Sequence, residues 1–197
     1  DFYYVQLANF NGRVQPCDQP CEYTWPYLRE AQTQTLALPN TGMAVTIDVG
    51  DATNIHPRDK QSVGKRLGFI ADAQTYGENV VFSGPRYRSH NIKGNAVKIK
   101  FDHIETGLVV QDRYGYLKGF QMAGADSVFH WAQAVVDGDA VVVRCESVER
   151  PLAVRYAWEN NPEDANLVNG AGLPAAPFRT DDWDPRQRNV ERRAERE

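Results

Sequence analysis

The stretch Asp48-Val49-Gly50-Asp51-Ala52-Thr53-Asn54-Ile55-His56-Pro57 puts two carboxylates and a histidine within ten residues. Histidine is the side chain whose ordinary pKa lies near neutrality, so it suits a general base that takes and returns a proton in one turnover. Pro57 restricts the residue before it to an extended backbone, which keeps His56 on a loop. A neighbouring carboxylate would fix the imidazole tautomer and stabilise the imidazolium that forms, and Asp51 and Asp48 are the candidates. On spacing alone an ordinary loop histidine is the commoner outcome, so the elements around the stretch must be read before it carries weight.

Those elements follow an α/β pattern. Phe2 to Ala8 is a nearly continuous apolar run, as in a strand buried on both faces. A helix capped by Thr24 follows, with Tyr27, Leu28, Ala31, Thr35 and Leu38 on its apolar stripe, and Pro39, Asn40 and Gly42 stop it. Met43 to Ile47 reads as a second buried strand. Asp59 opens a second helix carrying Val63, Leu67, Ile70 and Ala71 and ending at Gly77. Strand, helix, strand, helix implies a parallel sheet, whose ligands sit outside the carboxyl ends of the strands. The loops after Ala8 and after Ile47 are therefore the expected site. Gln6 reaches the same sheet edge at best.

Near residue 80 the period switches from helical to two. Val97, Ile99 and Phe101 alternate with Lys98, Lys100 and Asp102, and turn signals occur at Lys93-Gly94-Asn95 and Asp137-Gly138-Asp139. Further strands are expected at Leu108 to Gln111, Gly119 to Ala123, Ala132 to Val136, Ala140 to Cys145 and Ala153 to Trp158. The pattern predicts an antiparallel β-sandwich over 81–180 after an α/β region over 1–80. Residues 181–197 mix Arg with Asp and Glu and read as a solvated charged tail. Trp131, Tyr156, Trp158 and Phe178 could stack on a sugar, but aromatics at strand spacing are more often core. His90, His103 and His130 read as structural residues of this region. Arg179 reads as a packing residue, and the loop 160–169 is polar enough to reach the site, though nothing in the sequence places it there.

Composition excludes several classes. The 197 residues carry 22 Lys and Arg against 26 Asp and Glu, a net charge of -4, which is no footprint for nucleic acid. With 42% hydrophobic and 24% charged residues the chain can bury a core. No apolar run approaches the roughly 20 residues of a membrane-spanning helix. The first residues, DFYYVQLA, resemble neither a start nor a signal peptide and read as the interior of a longer protein. Cys17 and Cys21 sit four apart in a Pro-rich loop and form either a local disulfide of an oxidising compartment or two free thiols. They have no partners at zinc-site spacing, and no metal or organic cofactor is expected.

The literal strings are more specific than the spacing. IDVGDATNIHPRDKQSV at 47–63, the upstream PNTGMAVTID, FSGP at 82–85, FDHIETGLVV at 101–110, LKGFQMAG at 117–124, VRYAWENNP at 154–162 and GLPAAPFRTD at 172–181 together resemble the sialate O-acetylesterase family, a group of SGNH hydrolases. The resemblance covers residues 1–181. It implies a serine esterase that removes O-acetyl groups from sugars, sialate first, with acetylxylan or another acetylated sugar as the alternative. It implies that His56, in the IHP motif, is the base that activates the serine.

Two departures from the family pattern matter. The position three residues before the histidine, commonly Asp in SGNH enzymes, is Thr53, and Asn54 stands where many relatives have Asp. Asp51 is then the favoured orienting acid and Asp48 the alternative, with a His held by backbone carbonyls also open. The GQSN-type serine block and the oxyanion-hole residues of the family do not occur in this chain. Ser62, Ser83, Ser89, Ser127 and Ser147 lack that context and read as structural. Because a base and its nucleophile must lie within hydrogen-bond reach, the expected partner is the N-terminal portion of the same enzyme, as a separate chain or segment. A secreted, periplasmic or lysosomal setting is implied by the same resemblance. The rival reading is a non-catalytic carbohydrate-binding protein.

Overall fold

The computed structural model describes residues 1–10 and 25–183. Strand β1 (Phe2–Val5), helix α1 (Trp25–Gln34) with a following 3-10 turn (Thr35–Ala37), and strand β2 (Thr41–Ala44) differ in texture from everything after them: β1 and β2 pair in parallel, Phe2 against Thr41 through Val5 against Ala44. A parallel pair needs a crossover, and α1 supplies it. Asn40, at φ +58, turns the chain into β2. Helix α2 (Lys60–Gln74) packs on both strands through the buried Ile70. Its cap is the expected one, with Asp59 accepting the Ser62 backbone N–H at 2.9 Å.

The first strand is shorter and more open than its apolar run suggested. It ends at Val5, Phe2 is 63% exposed, and β2 is its single partner among the described residues. The polar Gln6 beyond it is fully buried instead.

Beyond β2 all pairings are antiparallel. Strands β3 (Arg86–Lys93), β4 (Ala96–Asp102), β8 (Gln133–Asp137) and β9 (Ala140–Arg144) form a four-stranded sheet in the order β3-β4-β9-β8. Strands β6 (Phe120–Ala123), β7 (His130–Trp131), β10 (Ala153–Tyr156) and β12 (Phe178–Arg179) form another, in the order β12-β10-β6-β7, and β5 (Leu108–Val110) pairs with β11 (Leu167–Asn169). The alternation read in β4 is the alternation observed: Val97, Ile99 and Phe101 are buried, and Lys98, Lys100 and Asp102 are exposed. Both expected turns are two-residue hairpin loops, with Gly94 and Gly138 at positive φ, where a side chain would be strained. The fold is thus mixed α/β with a small parallel element and several antiparallel sheets.

One apolar cluster joins the two textures. Met43, Val45 and Ile47 pack with Val97, Ile99, Phe101, Val141, Val143, Met122, Val154 and Phe178. Each such side chain contributes roughly 1.5–3 kcal/mol on burial. The base of the loop after Ile47 is therefore anchored in the core of the β-rich part. Tyr156, Trp158 and Phe178 are core residues, while Trp131 stays 44% exposed. Asp181, assigned from sequence to the solvated tail, has a buried side chain that holds the Arg155 guanidinium through two bonds of 2.8 Å. Cys17, Cys21 and Thr24 lie outside the described residues. Cys145 is a free thiol.

Candidate active site

Three segments distant in sequence converge at the carboxyl ends of β1 and β2. The Asn9 carboxamide is the hub: its Oδ1 accepts the Gly50 N–H at 2.7 Å, and its Nδ2 donates to Asn161 Oδ1 at 2.7 Å. Asn161 in turn donates to Glu163 Oε2 at 3.2 Å. Gly50 permits this approach, because a Cβ there would stand 2.1 Å from Asn9 Oδ1 and 2.3 Å from the Asn9 carbonyl oxygen. The two loops expected to hold the site do meet, and the 160–169 loop reaches them.

Arg29 of α1 locks the arrangement from beneath. It is fully buried, and its guanidinium donates to four carbonyls: Leu7 at 2.8 Å, Ala8 at 2.8 Å, Glu159 at 2.6 Å and Asn160 at 2.8 Å. A planar fork with five N–H groups can satisfy carbonyls from two segments at once. Burial without a carboxylate pulls its pKa down to about 10.

The loop itself is built from side-chain turns. Asp48 forms a two-bond pair with Arg66 of α2, at 2.7 and 2.5 Å, and Arg66 also donates to the Val45 carbonyl at 2.7 Å. Asp51 Oδ1 accepts the Thr53 N–H and hydroxyl, both at 2.8 Å, and the Asn54 N–H at 3.2 Å. Those bonds, led by the one from the Thr53 backbone, hold the Asp51 carboxyl below the usual carboxylate range. Asn54 Oδ1 then accepts the His56 N–H at 2.9 Å. His56 is exposed, and among the described residues its ring makes no hydrogen bond. Asp48 and Asp51 are thus engaged with Arg66 and with the turn, and neither is bonded to the imidazole.

Beside the loop lies a cavity of about 370 Å³ lined by Asn9, Asp48, Gly50, Asp51 and Glu163 among others. Glu159, next to this junction, is largely buried, and that burial, reinforced by Asp164, pushes its pKa up to about 7. Asn9, Arg29, Glu159, Asn161 and Glu163 were not read as site residues from the sequence. A buried Arg followed 130 residues later by Glu-Asn-Asn-Pro has no spacing signal, and the polarity of 160–169 and the string VRYAWENNP pointed to that segment without singling out these residues.

The remaining candidates are placed apart from the loop. The Ser62 hydroxyl donates to Asp59 Oδ2 at 2.6 Å in the α2 cap, and the Ser83 hydroxyl donates to the Gly84 carbonyl. His90 Nδ1 bonds the Tyr87 hydroxyl, and His103 Nε2 faces Arg86. Arg179 pairs with Glu30 of α1 through bonds of 2.8 and 3.0 Å. Among the described residues no group of three or more His, Cys, Asp or Glu side chains could hold a metal ion. None of their helices is long and apolar enough to cross a membrane.

Comparison with known proteins decides what this junction belongs to. Sialate O-acetylesterase of Mus musculus is 31% identical over 199 residues, covering 90% of this chain and 35% of the mouse protein. This chain is a homologue of the sialate O-acetylesterases. The Homo sapiens enzyme is likewise 31% identical, over 155 residues that cover 72% of the chain and 29% of that protein. The fold matches the crystal structure of a carbohydrate acetylesterase from Xanthomonas citri, with 46% identity and a TM-score of 0.85 over 92% of this chain and 41% of that one. No protein-family model matches the chain. The chain spans about a third of the length of the curated sialate O-acetylesterases it matches.

Proposed function

We propose that this chain is the base-bearing part of a serine esterase that removes O-acetyl groups from carbohydrate. The observation that carries the reading is the similarity to a carbohydrate acetylesterase at 46% identity over nearly the whole chain, combined with a His56 ring left free on a loop tied down at both ends. In this reading residues 1–80 continue an SGNH-type parallel sheet, and the antiparallel region over 81–180 is a β-sandwich domain braced against it. The N-terminal portion of the same enzyme supplies the serine and the oxyanion donors.

The chemistry follows from which groups are free. The serine hydroxyl, placed beside His56, gives its proton to the imidazole as it attacks the acetyl carbonyl. The imidazolium returns that proton to the departing sugar oxygen. Water then repeats the sequence on the acyl-enzyme and releases acetate. Asp51 serves the histidine as a positioning residue, through the relay Asp51 to Asn54 to His56, and Asp48 holds the loop to α2. The sugar enters by the Asn9–Gly50–Glu163 cavity. Acetylated sialic acid is the substrate suggested by the curated relatives' names, and acetylxylan or another acetylated sugar is suggested by the broader name of the Xanthomonas protein. A secreted or lysosomal setting accords with the same relatives.

The test is labelling of the intact enzyme with a serine-directed fluorophosphonate, together with acetate release from acetylated sialic acid and from acetylated xylan. The reading expects labelling and release, with the faster substrate naming the sugar. A folded enzyme that is neither labelled nor active would leave the carbohydrate-binding reading in its place.

A further inference from the structure

The cavity beside the His56 loop carries charge of one sign. Asp48, Asp51 and Glu163 are among its lining residues, and no Lys, Arg or His is. The three carboxylates differ in what balances them. Asp48 is neutralised by its two-bond pair with Arg66 of α2. Asp51 accepts only from uncharged groups of its own turn, the Thr53 N–H and hydroxyl and the Asn54 N–H, and those bonds keep it ionised. Glu163 is exposed and accepts from the uncharged Asn161 amide at 3.2 Å. Its place is set by that bond and by its own N–H, which donates to the Asn161 carbonyl at 2.8 Å, while Asn161 is tied to Asn9.

The surrounding cations do not offset Asp51 and Glu163. Arg58 acts on Asp51 more weakly than the hydrogen bonds of the turn, and it lies outside the cavity lining. Lys118 faces Asp164 at 3.6 Å and Asp112 at 4.0 Å. Arg29 is buried beneath the junction among four carbonyls. Glu159, titrating at about 7, adds negative charge as pH rises. Among the described residues neither Asp51 nor Glu163 has a cation within ion-pair distance. At the effective dielectric of a protein surface, two like charges about 8–10 Å apart repel by enough to change affinity about tenfold.

We infer that Glu163 is a specificity-determining residue, which together with Asp51 makes this cavity reject a carboxylated sugar and admit a neutral acetylated one. The inference rests on the ester-hydrolysis reading and decides between the charged and neutral substrates which that reading leaves open. It runs against the substrate in the curated relatives' name.

Acetate release by the intact enzyme from O-acetylated N-acetylneuraminate, from its carboxyl methyl ester and from an O-acetylated methyl glucoside tests it. The methyl ester removes the charge and keeps the ring, so its kcat/KM should exceed that of the acid by at least about tenfold at low salt. The gap should narrow at 0.5 M salt, roughly where charges this far apart are screened. Glu163→Gln keeps an acceptor for the Asn161 amide and loses the charge, so the acid-to-ester ratio should rise several-fold; Glu163→Arg should raise it further. If either variant fails to fold, the ratio and its salt dependence in the unaltered enzyme still decide. An acid turned over as well as its ester, or a ratio unmoved in folded Glu163→Gln, would overturn the inference while leaving ester hydrolysis intact. No acetate from any of the three substrates would remove the hydrolysis reading and this inference with it.

Discussion

Asn9 and Gly50, 41 residues apart, meet through a 2.7 Å hydrogen bond from the Gly50 N–H to the Asn9 side chain, at a backbone separation that leaves no room for a Cβ. The contact fixes the start of the His56 loop against the end of β1. Gly50→Ala would have to displace the Asn9 backbone as well as its side chain. We expect esterase turnover to fall by at least about tenfold with the chain still folded, because a shift of the order of 1 Å in catalytic geometry costs that much or more. Steady-state kinetics alongside thermal melting checks it; unchanged kcat would mean the loop does not depend on this contact.

Asn9→Ala removes both bonds of the hub and leaves Asn161 Oδ1 without its donor at a buried position. A buried group left unpaired costs about 1–3 kcal/mol, so the denaturant midpoint should drop accordingly. A midpoint equal to that of the unaltered protein would show that water replaces the carboxamide without penalty.

Arg29→Lys keeps the charge and loses the fork. An ammonium has three donors, whereas the guanidinium serves four carbonyls from two segments. We expect a loss of about 2–4 kcal/mol in chemical denaturation, and Arg29→Met should be worse because all four carbonyls lose their partner. Equal stability of Arg29→Met and the unaltered protein would contradict the role assigned to Arg29.

Glu159 gives a pH dependence of defined sign. Its folded pKa, about 7, lies above the ordinary 4.5, so between those values the folded state holds more protons than the unfolded one. Stability contributed by the protonated form is complete below about 4.5 and declines as pH rises through 7. The decline is of the order of 1–3 kcal/mol. Glu159→Gln should flatten it, as measured by denaturation at pH 5 and pH 8; a slope unaffected by that substitution would assign the effect to another group.

The elements that the sequence made legible are those whose pattern is local. The β4 alternation of Val97, Ile99 and Phe101, the Asp59 cap and the two glycine hairpins each depend on residues a few positions apart, and each is present. Strand β3 escaped because its polar sequence lies at a sheet edge and its register shifts between Tyr87 and Ser89, which breaks a period-two reading. The two-residue strands β7 and β12 are too short to carry a pattern. In β1 an apolar composition was read as burial, yet burial depends on what covers the faces, and Phe2 is open. At the site, the meeting of the two loops was readable from topology. The Asn9–Gly50–Asn161 hub and Arg29 were not, because single side chains there join segments 41 to 152 residues apart.

Asp51 and His56 are linked through Asn54, so Asp51 acts by building the turn. Asp51→Asn retains an oxygen acceptor for the Thr53 and Asn54 amides, whereas Asp51→Ala does not. The alanine variant should therefore lose more kcat than the asparagine variant, with KM little changed in both. Equal and large losses in the two would show that the negative charge itself is required at the imidazole.

The central claim is that His56 is the base of an acetyl-ester hydrolase, and the most direct measurement is acetate release by the intact enzyme carrying His56→Ala, with melting temperature recorded on the same sample. His56 is exposed and its ring holds nothing in place, so the variant should fold normally while kcat falls by about a thousandfold or more, as expected when a triad base is removed. Turnover within about tenfold of the unaltered enzyme, in a normally folded His56→Ala sample, would contradict the account.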